Sequence, residues 1–332
     1  MGIATIGSLN YDIVTFTDRV PQAGETLRGN TFETHAGGKG LNQTIALAKL
    51  KQTGANYDIR MVGSVGDDSF GKQLKDLLQE SGVNTDMVQV IEKKSTGVAT
   101  ILVEQKNGGQ NRIILTEGAN GNSVYNNDDL RSIFQGVTLN NEKQFVVFQN
   151  EIPDSCSIIS WIKTNHPHFQ IVYNPSPFYP ITKEQWSLVD ILVINEVEAL
   201  QIVKAIYQEK EYDFYTKEIE RDYVRGYKQI CGEFQRNLVS QTNSAITVVT
   251  LGEKGSLYAS KECPEVGFTP AVPDVNVVDT TAAGDIFLGA LVTQLHQDVD
   301  LKTAIKFSTK ASSIGIQKPG AAESIPTFEE VA

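Results

Sequence analysis

Ile191-Leu-Val-Ile194, running directly into Asn195-Glu-Val-Glu198 and an amphipathic stretch to Tyr207, decides the fold class. Four consecutive apolar residues make a strand covered on both faces, and an Asn followed by acids marks the start of a helix. The same grammar recurs on both sides. Ile59-Arg-Met-Val-Gly63 precedes a helical run from Ser69 to Ser81, and Phe145-Val-Val-Phe148 precedes one from Ser155 to Lys163. Gln170-Ile-Val-Tyr173 and Ile246-Thr-Val-Val-Thr250 supply further buried strands. Such alternation predicts an α/β fold of three layers, α/β/α, with a mostly parallel central sheet. Ligands of these sheets sit beyond the carboxyl ends of the strands.

Two regions break the rhythm. Residues 12–34 and 97–116 are β-like, the second alternating through Thr100-Ile-Leu-Val103 and Arg112-Ile-Ile-Leu115 around Asn107-Gly108-Gly109, a hairpin signal. They predict a small β-sheet over the binding crevice, a lid on a single domain spanning 1–332. The polar run from Lys204 to Asn243 is the other irregularity. Within it, Glu218 to Leu238 reads as one long surface helix with a solvated face.

The 332 residues carry a formal net charge of −11, which argues against a nucleic-acid or anionic-membrane surface. A polyanionic substrate then needs local amides, cations or metal. A strand-like Ile3-Ala-Thr-Ile6 stands almost at the start, with no basic segment and apolar stretch before it, so no signal peptide is expected. No apolar run reaches the length of a membrane span. Cys156, Cys231 and Cys263 are odd in number and far apart, unlike a disulfide framework or zinc site. A reduced, cytoplasmic protein is expected.

Chemistry concentrates in a few stretches. Val278-Asp-Thr-Thr-Ala-Ala-Gly-Asp285 places small residues at a helix start, where free amides and the helix dipole favour an anion. Asp285 would then be a carboxylate beside an anion hole, placed to take a proton from an attacking hydroxyl; the plain alternative is a first-turn acid. Gly37-Gly-Lys-Gly-Leu-Asn42 opens a helix with Leu41, Ile45 and Ala48 on one side. Its glycines would admit a ligand, and Lys39 and Asn42 would donate to it. Asn10 and Asp12 suit a polyol, though by themselves they read as a turn. Asn195 and Glu198 read locally as a helix cap, with phosphate and Mg²⁺ duties as the alternative. Thr250-Leu-Gly-Glu-Lys-Gly255 is a nucleotide-binding turn or simply a hairpin. Gly66-Asp-Asp-Ser-Phe-Gly71-Lys72-Gln73 is not a P-loop: Gln73 stands where a hydroxyl must ligate Mg²⁺, and two acids would repel phosphate. His166 and His168 lack a third ligand and read as a surface loop, while His35 could line the pocket.

Taken together and in this order, the chain resembles the ribokinase-like PfkB family of carbohydrate and nucleoside kinases from Gly7 to about Pro326. The shared pieces include Asn10-Tyr-Asp12, Pro21-Gln-Ala-Gly-Glu25, Gly37 to Asn42, Gly63-Ser-Val-Gly-Asp-Asp68, Ser95-Thr-Gly-Val98, Gly118-Ala-Asn120, Asn195 to Glu198 and Asp279 to Asp285. The resemblance implies an ATP-dependent kinase, and its narrower features imply D-ribose as acceptor, phosphorylated at the 5-hydroxyl. It makes Asp285 the base, with the amides of Ala282, Ala283, Gly284 and Asp285 as anion hole. It assigns Asn10, Asp12, Gly38, Lys39, Gly40, Asn42 and Glu151 to the sugar, and Asn195 with Glu198 to phosphates and Mg²⁺. Thr250, Leu251, Gly252, Glu253, Lys254, Gly255 and Thr309 fall to the nucleotide. A monovalent cation, K⁺, is implied near Asp279, Thr281, Gly315, Lys318, Gly320 and Ser324, mostly through backbone carbonyls. A homodimer through the lid is implied as well.

Leu41 stands where the family usually has a smaller residue, Asn174-Pro-Ser-Pro177 replaces the more usual Asn-Pro-Ala-Pro, and the 204–243 segment is longer than its counterpart. Another acceptor (2-deoxyribose, fructose or adenosine) is the rival reading. A non-catalytic sugar-binding regulator on the same fold is the distant one.

Overall fold

The computed structural model describes residues 2–107, 110–135, 143–242, 244–263 and 265–332. Its strands are β1 Ile3–Ile6, β2 Asn10–Thr17, β3 Thr31–Gly37, β4 Ile59–Gly66, β5 Asn84–Ile91, β6 Gly97–Glu104, β7 Gln110–Thr116, β8 Phe145–Phe148, β9 Gln170–Tyr173, β10 Ile191–Asn195, β11 Ile246–Thr250, β12 Ser256–Ser260 and β13 Gly267–Thr269. The helices are α1 Lys39–Lys49, α2 Ser69–Glu80, α3 Asn127–Ile133, α4 Ser155–Asn165, α5 Lys183–Trp186, α6 Glu196–Ile206, α7 Glu209–Arg221, α8 Tyr223–Asn237, α9 Ala283–His296, α10 Leu301–Gly315 and α11 Phe328–Val331.

Nine strands form the central sheet in the order β13-β12-β11-β10-β9-β8-β1-β4-β5. From β11 to β5 every pairing is parallel, and β12 and β13 close one edge antiparallel. Successive residues of a strand serve opposite cores. Phe145 and Val147 join Leu41, Ile45 and Leu291 on one face, while Val146 and Phe148 join Ile158, Trp186 and Phe234 on the other. This two-sided burial explains why the strands are unbroken apolar runs.

A second sheet, β3-β2-β6-β7, comes from the two β-like segments. β2 and β6 run parallel, and the other pairs are antiparallel. The β6–β7 ladder runs from Val98↔Thr116 to Glu104↔Gln110, as a hairpin requires, while Gly108 and Gly109 of the expected turn lie outside the described residues.

Two expectations need correction. The single helix over 218–238 is two helices, parted at Asp222, whose extended backbone (φ −153°, ψ 104°) lets its side chain cap the amide of Arg225 at 3.0 Å. Asp competes with the helix for its own backbone and wins at a cap. Nor is α8 a surface helix. Tyr227, Ile230, Cys231 and Phe234 recur at helical spacing and are buried over the sheet, whereas α7 has no fully buried residue. The one-sided reading of α1 also fails, since every residue from Gly40 to Leu47 is buried. α9 covers the side that would have faced solvent. Its Gly289 comes so close that a Cβ there would sit 2.5 Å from the Cβ of Ala46. Among the described residues, no helix is long and apolar enough to cross a membrane.

Candidate active site

The crevice lies at the carboxyl end of the parallel strands, where α9 begins. Ala282 takes a left-handed backbone (φ 60°) and turns the chain into the helix, which puts Asp285 in its first turn. The first intrahelical bond is Ile286 N to Ala282 O at 2.8 Å, so the amides of Gly284 and Asp285 have no acceptor within the helix. Ala283 differs, because its amide donates to the Thr280 carbonyl at 3.2 Å. A Cβ built on Gly284 would meet nothing within 4 Å.

Asp285 is 6% exposed and is gripped from α1. Gln43 Nε2 donates to its Oδ1 at 2.8 Å, and Asn42 Nδ2 approaches Oδ2 at 3.4 Å. The glycines of the Gly37–Asn42 stretch also serve the fold. Gly38 has φ +89°, and a Cβ on it would lie 2.7 Å from the Asn10 amide. One on Gly40 would lie 2.5 Å from Ser8 N and 2.6 Å from Ser8 O. These residues admit the protein's own β1–β2 connection, Gly38 lines the cavity as well, and Leu41 N donates to Ser8 O at 2.9 Å across that contact. The Glu151 carboxylate accepts from the Lys39 amide (2.8 Å) and the Ser8 hydroxyl, which ties the end of β8 to the start of α1. Burial works to lower the Lys39 ammonium, but the carboxylates of Asp285, Glu151 and Glu198 outweigh it and shift the group upward, keeping it charged.

Asn10 and Asp12 are in β2, not in a turn. Asn10 pairs with Gly37 of β3 and Asp12 with His35, while β6 lies along their other edge. Asn120 fixes Asn10. Its Nδ2 donates to Asn10 Oδ1 at 2.7 Å while its Oδ1 accepts from the Leu9 amide at 2.9 Å. Asn10 therefore keeps its own NH₂ as a donor. Burial, reinforced by the Glu151 carboxylate, raises the Asp12 carboxyl to about 7. His35 lies 3.3 Å from Glu33 and 3.8 Å from Glu323. Asn10, Asp12, Lys39, Asn42, Glu151 and Asp285 line one cavity of about 720 Å³. Val14, Phe16, Ile101 and Val103 from the small sheet, together with the 278–282 and 319–321 segments, complete its walls.

Gly38, Asp279, Thr281, Ala282 and Gly320 are also in the lining of this cavity, while Asn195, Glu198, residues 250–255, Thr309, Gly315, Lys318 and Ser324 are not. Asn195 and Thr250 are register partners on adjacent strands. Asn195 and Glu198 form a reciprocal cap, at 2.8 Å from Glu198 N to Asn195 Oδ1 and 3.0 Å in return. Burial pushes the Glu198 carboxyl up, partly opposed by the Asn195 amide, the Ser176 hydroxyl and the Lys39 ammonium. Residues 250–255 form the β11–β12 hairpin, closed by Leu251 N to Gly255 O at 2.8 Å. Lys254 lies over the Tyr223 ring, 5.4 Å from its centroid. Thr309 spends its hydroxyl on the Ile305 carbonyl (2.8 Å) within α10. Asp279 ties two loops together, with Oδ1 accepting from Thr281 N (2.9 Å) and its hydroxyl (2.6 Å), and Oδ2 from Gly320 N (3.0 Å). A Cβ on Gly315 would lie 3.6 Å from the Ser324 carbonyl, so these two residues adjoin. The Lys318 ammonium is engaged by Glu330 at 2.8 Å.

The pfkB family carbohydrate kinase profile matches residues 2–328. The chain belongs to the pfkB family of carbohydrate kinases. It is 35% identical to a ribokinase of Schizosaccharomyces pombe over 334 aligned positions, covering 100% of this chain and 96% of that one. A deoxyribokinase of Salmonella typhi is 31% identical, with 99% and 97% covered. The structure of Arabidopsis thaliana ribokinase complexed with ribose and ATP superposes with a TM-score of 0.79 at 28% identity, covering 99% of this chain and 97% of that one. As a pfkB-family kinase, the protein is a phosphotransferase with an alcohol group as acceptor.

Sequence reasoning passed over Ser8, Gln43, Asn120, Gln149 and Asn174. Asn120 and Asn174 sit inside the motifs above, Gln43 directly follows one, and Ser8 stands two residues before another. Nothing local marks Gln149, whose role appears only once β8 is laid beside α1.

Proposed function

We propose that this protein transfers the γ-phosphoryl group of ATP to the 5-hydroxyl of D-ribose. The observation that carries the reading is Asp285 itself, a buried carboxylate in the first turn of α9, held on one oxygen by Gln43 and lining a cavity rich in polyol-binding groups. Asn10, Asp12, Lys39, Asn42 and Glu151 grip the sugar hydroxyls. Asp285 takes the proton from the 5-hydroxyl as that oxygen attacks phosphorus. The free amides of the α9 start receive the charge that builds on the transferring group. Open space before Gly284 supports that placement.

Mg²⁺ would be held through water by Glu198, with Asn195 beside it, and supplies charge neutralisation on the phosphates. The buried Glu198 carboxyl fits such a charge, since burial alone disfavours its ionised form. The loops joined by Asp279 suit K⁺. The carboxylate holds the amides of Thr281 and Gly320, and the Lys318 ammonium is drawn off to Glu330. The small sheet acts as a lid on a single domain and, through exposed Phe32, Ile113, Ile114 and Leu115, as the contact of a homodimer. The free thiols of Cys156, Cys231 and Cys263 support a reducing cytoplasmic setting.

The same transfer to 2-deoxyribose is the second reading, favoured by the likeness to a deoxyribokinase. ADP release is measured with ATP, Mg²⁺ and K⁺ against D-ribose, 2-deoxyribose, fructose and adenosine. The highest kcat/KM is expected for ribose. Preference for another acceptor would redraw the sugar contacts around it, and no transfer to any would end the kinase reading.

A further inference from the structure

Behind Asp285, away from the cavity, a line of amides runs into the core. Gln43 and Gln149 are both fully buried. Asn174 Nδ2 donates to the Val193 carbonyl at 3.0 Å, which turns its Oδ1 toward Gln43. Gln43 Nε2 donates to that Oδ1 (3.2 Å) and to Asp285 Oδ1 (2.8 Å), using both its hydrogens. Gln43 Oε1 accepts from Gln149 Nε2 at 2.6 Å. With Gln43 flipped, its carbonyl would oppose Asn174 Oδ1 and the Asp285 carboxylate, and two NH₂ groups would face each other. The Val193 carbonyl of β10 thus fixes one orientation along the whole line.

Packing alone does not account for these side chains. A Cβ on Gly7 would overlap Gln149 Oε1, so the neighbouring strand end gives up a side chain to make room. Gln149 Oε1 is itself buried without a hydrogen-bond partner among the described residues. An apolar residue would fill the place without that cost.

We propose that Gln43, with its orientation locked by Asn174 and Gln149, is the positioning residue for Asp285. It pins Oδ1 from the core side and leaves Oδ2, which Asn42 Nδ2 approaches only at 3.4 Å, to receive the substrate proton. The Asn174-Pro-Ser-Pro177 segment at the end of β9 then reaches the reacting carboxylate through a single intervening side chain. This inference rests on the reading of Asp285 as base.

The test is a double-mutant cycle on the full chain with ribose and ATP. Gln43→Leu is expected to lower kcat roughly 10- to 100-fold, the loss of a charge-assisted bond, with both KM values within about twofold. In an Asp285→Asn background, the same change should cost less than about threefold, because the carboxylate base that Gln43 positions is already gone, although the amide oxygen can still accept its bond. An equal loss in both backgrounds would mean that Gln43 acts through structure alone and would overturn the proposal. Asn174→Ala, which frees the lock but leaves the Gln43–Asp285 bond possible, runs the same cycle if Gln43→Leu does not fold. Near-normal turnover by Asp285→Asn alone would instead remove the base assignment.

Discussion

Gly284→Ala separates what the helix start does for the fold from what it does for the ligand. Gly284 lies in the first turn of α9 and is absent from the positive-φ residues, so alanine suits its backbone. The added methyl would meet no atom within 4 Å outside its chain neighbours and its own helix backbone. On folding grounds, the substitution should stabilise by about 0.4–1 kcal/mol, through lower entropy of the unfolded chain. In a chain of this size that raises Tm by roughly 1–3 °C. On functional grounds the same methyl stands beside the free amides assigned to the transferring phosphoryl group. Displacing that group by about 1 Å, or losing one amide donor to it, costs on the order of 10²–10³ in rate. Thermal melts and coupled ADP-release kinetics on the same preparation make the comparison. The expected result is a higher Tm with kcat at least 100-fold down, on the basis of those magnitudes. A variant with raised Tm and kcat within about threefold of the parent would show that the space before Gly284 is not where phosphate passes.

Gly40→Ala should behave oppositely, because its Cβ would sit 2.5 Å from Ser8 N. A loss of about 1–3 kcal/mol is expected from the overpacking, read as a lowered urea midpoint. Asp285→Ala should bind ribose and ATP in calorimetry yet turn over more slowly by several orders of magnitude; normal turnover would reassign the base. Asp12 links stability to pH. Burial and the Glu151 carboxylate raise its carboxyl to about 7 in the fold from an ordinary 3.8, with Glu323 adding to the rise and His35 opposing it. Between those values the folded protein binds the proton more tightly than the unfolded chain, so this contribution to stability is full below the lower value and is lost as pH rises through the upper one. Tm of the parent relative to Asp12→Asn should therefore fall from pH 4 to pH 7.5, and parallel curves would contradict the shift. Asp279→Ala should loosen the loops it joins and abolish any stimulation of kcat by K⁺ over tetramethylammonium; unchanged stimulation would place the cation elsewhere.

The parts legible in the sequence are those whose cause is local. Phe145–Phe148 and Ile191–Ile194 are apolar throughout because helices cover both faces, and that demand leaves its mark on consecutive residues. Asn195 and Glu198 are three apart because a helix start needs both, so the cap could be read before the strand beside it was known. Where the cause lies across the chain, the reading slips. The Gly37–Asn42 glycines read as room for a ligand, and their second cause stayed hidden: Gly38 and Gly40 are also fixed by the backbone of Ser8 to Asn10, about thirty positions away. α8 looked solvated because its charges are frequent, while the few aromatics that decide its burial recur only every three or four residues.

The two kinds of glycine sharpen the point. Gly40 and Gly284 sit in motifs of similar composition, each at the start of a helix, and no propensity scale distinguishes them. Only the neighbourhood does, since one presses on backbone and the other on emptiness. A glycine with an ordinary backbone and nothing before it has no folding reason to be glycine, and the reason must then lie with something that arrives. Beside it, Asp285 is braced from the core by Gln43. An apolar contact would hold α1 to α9 more cheaply than this line of amides with an unpaired oxygen at its end. The open space at Gly284 and the amide line behind Asp285 thus meet at one helix start, and each departs from what stability alone would select in the direction that phosphoryl transfer requires.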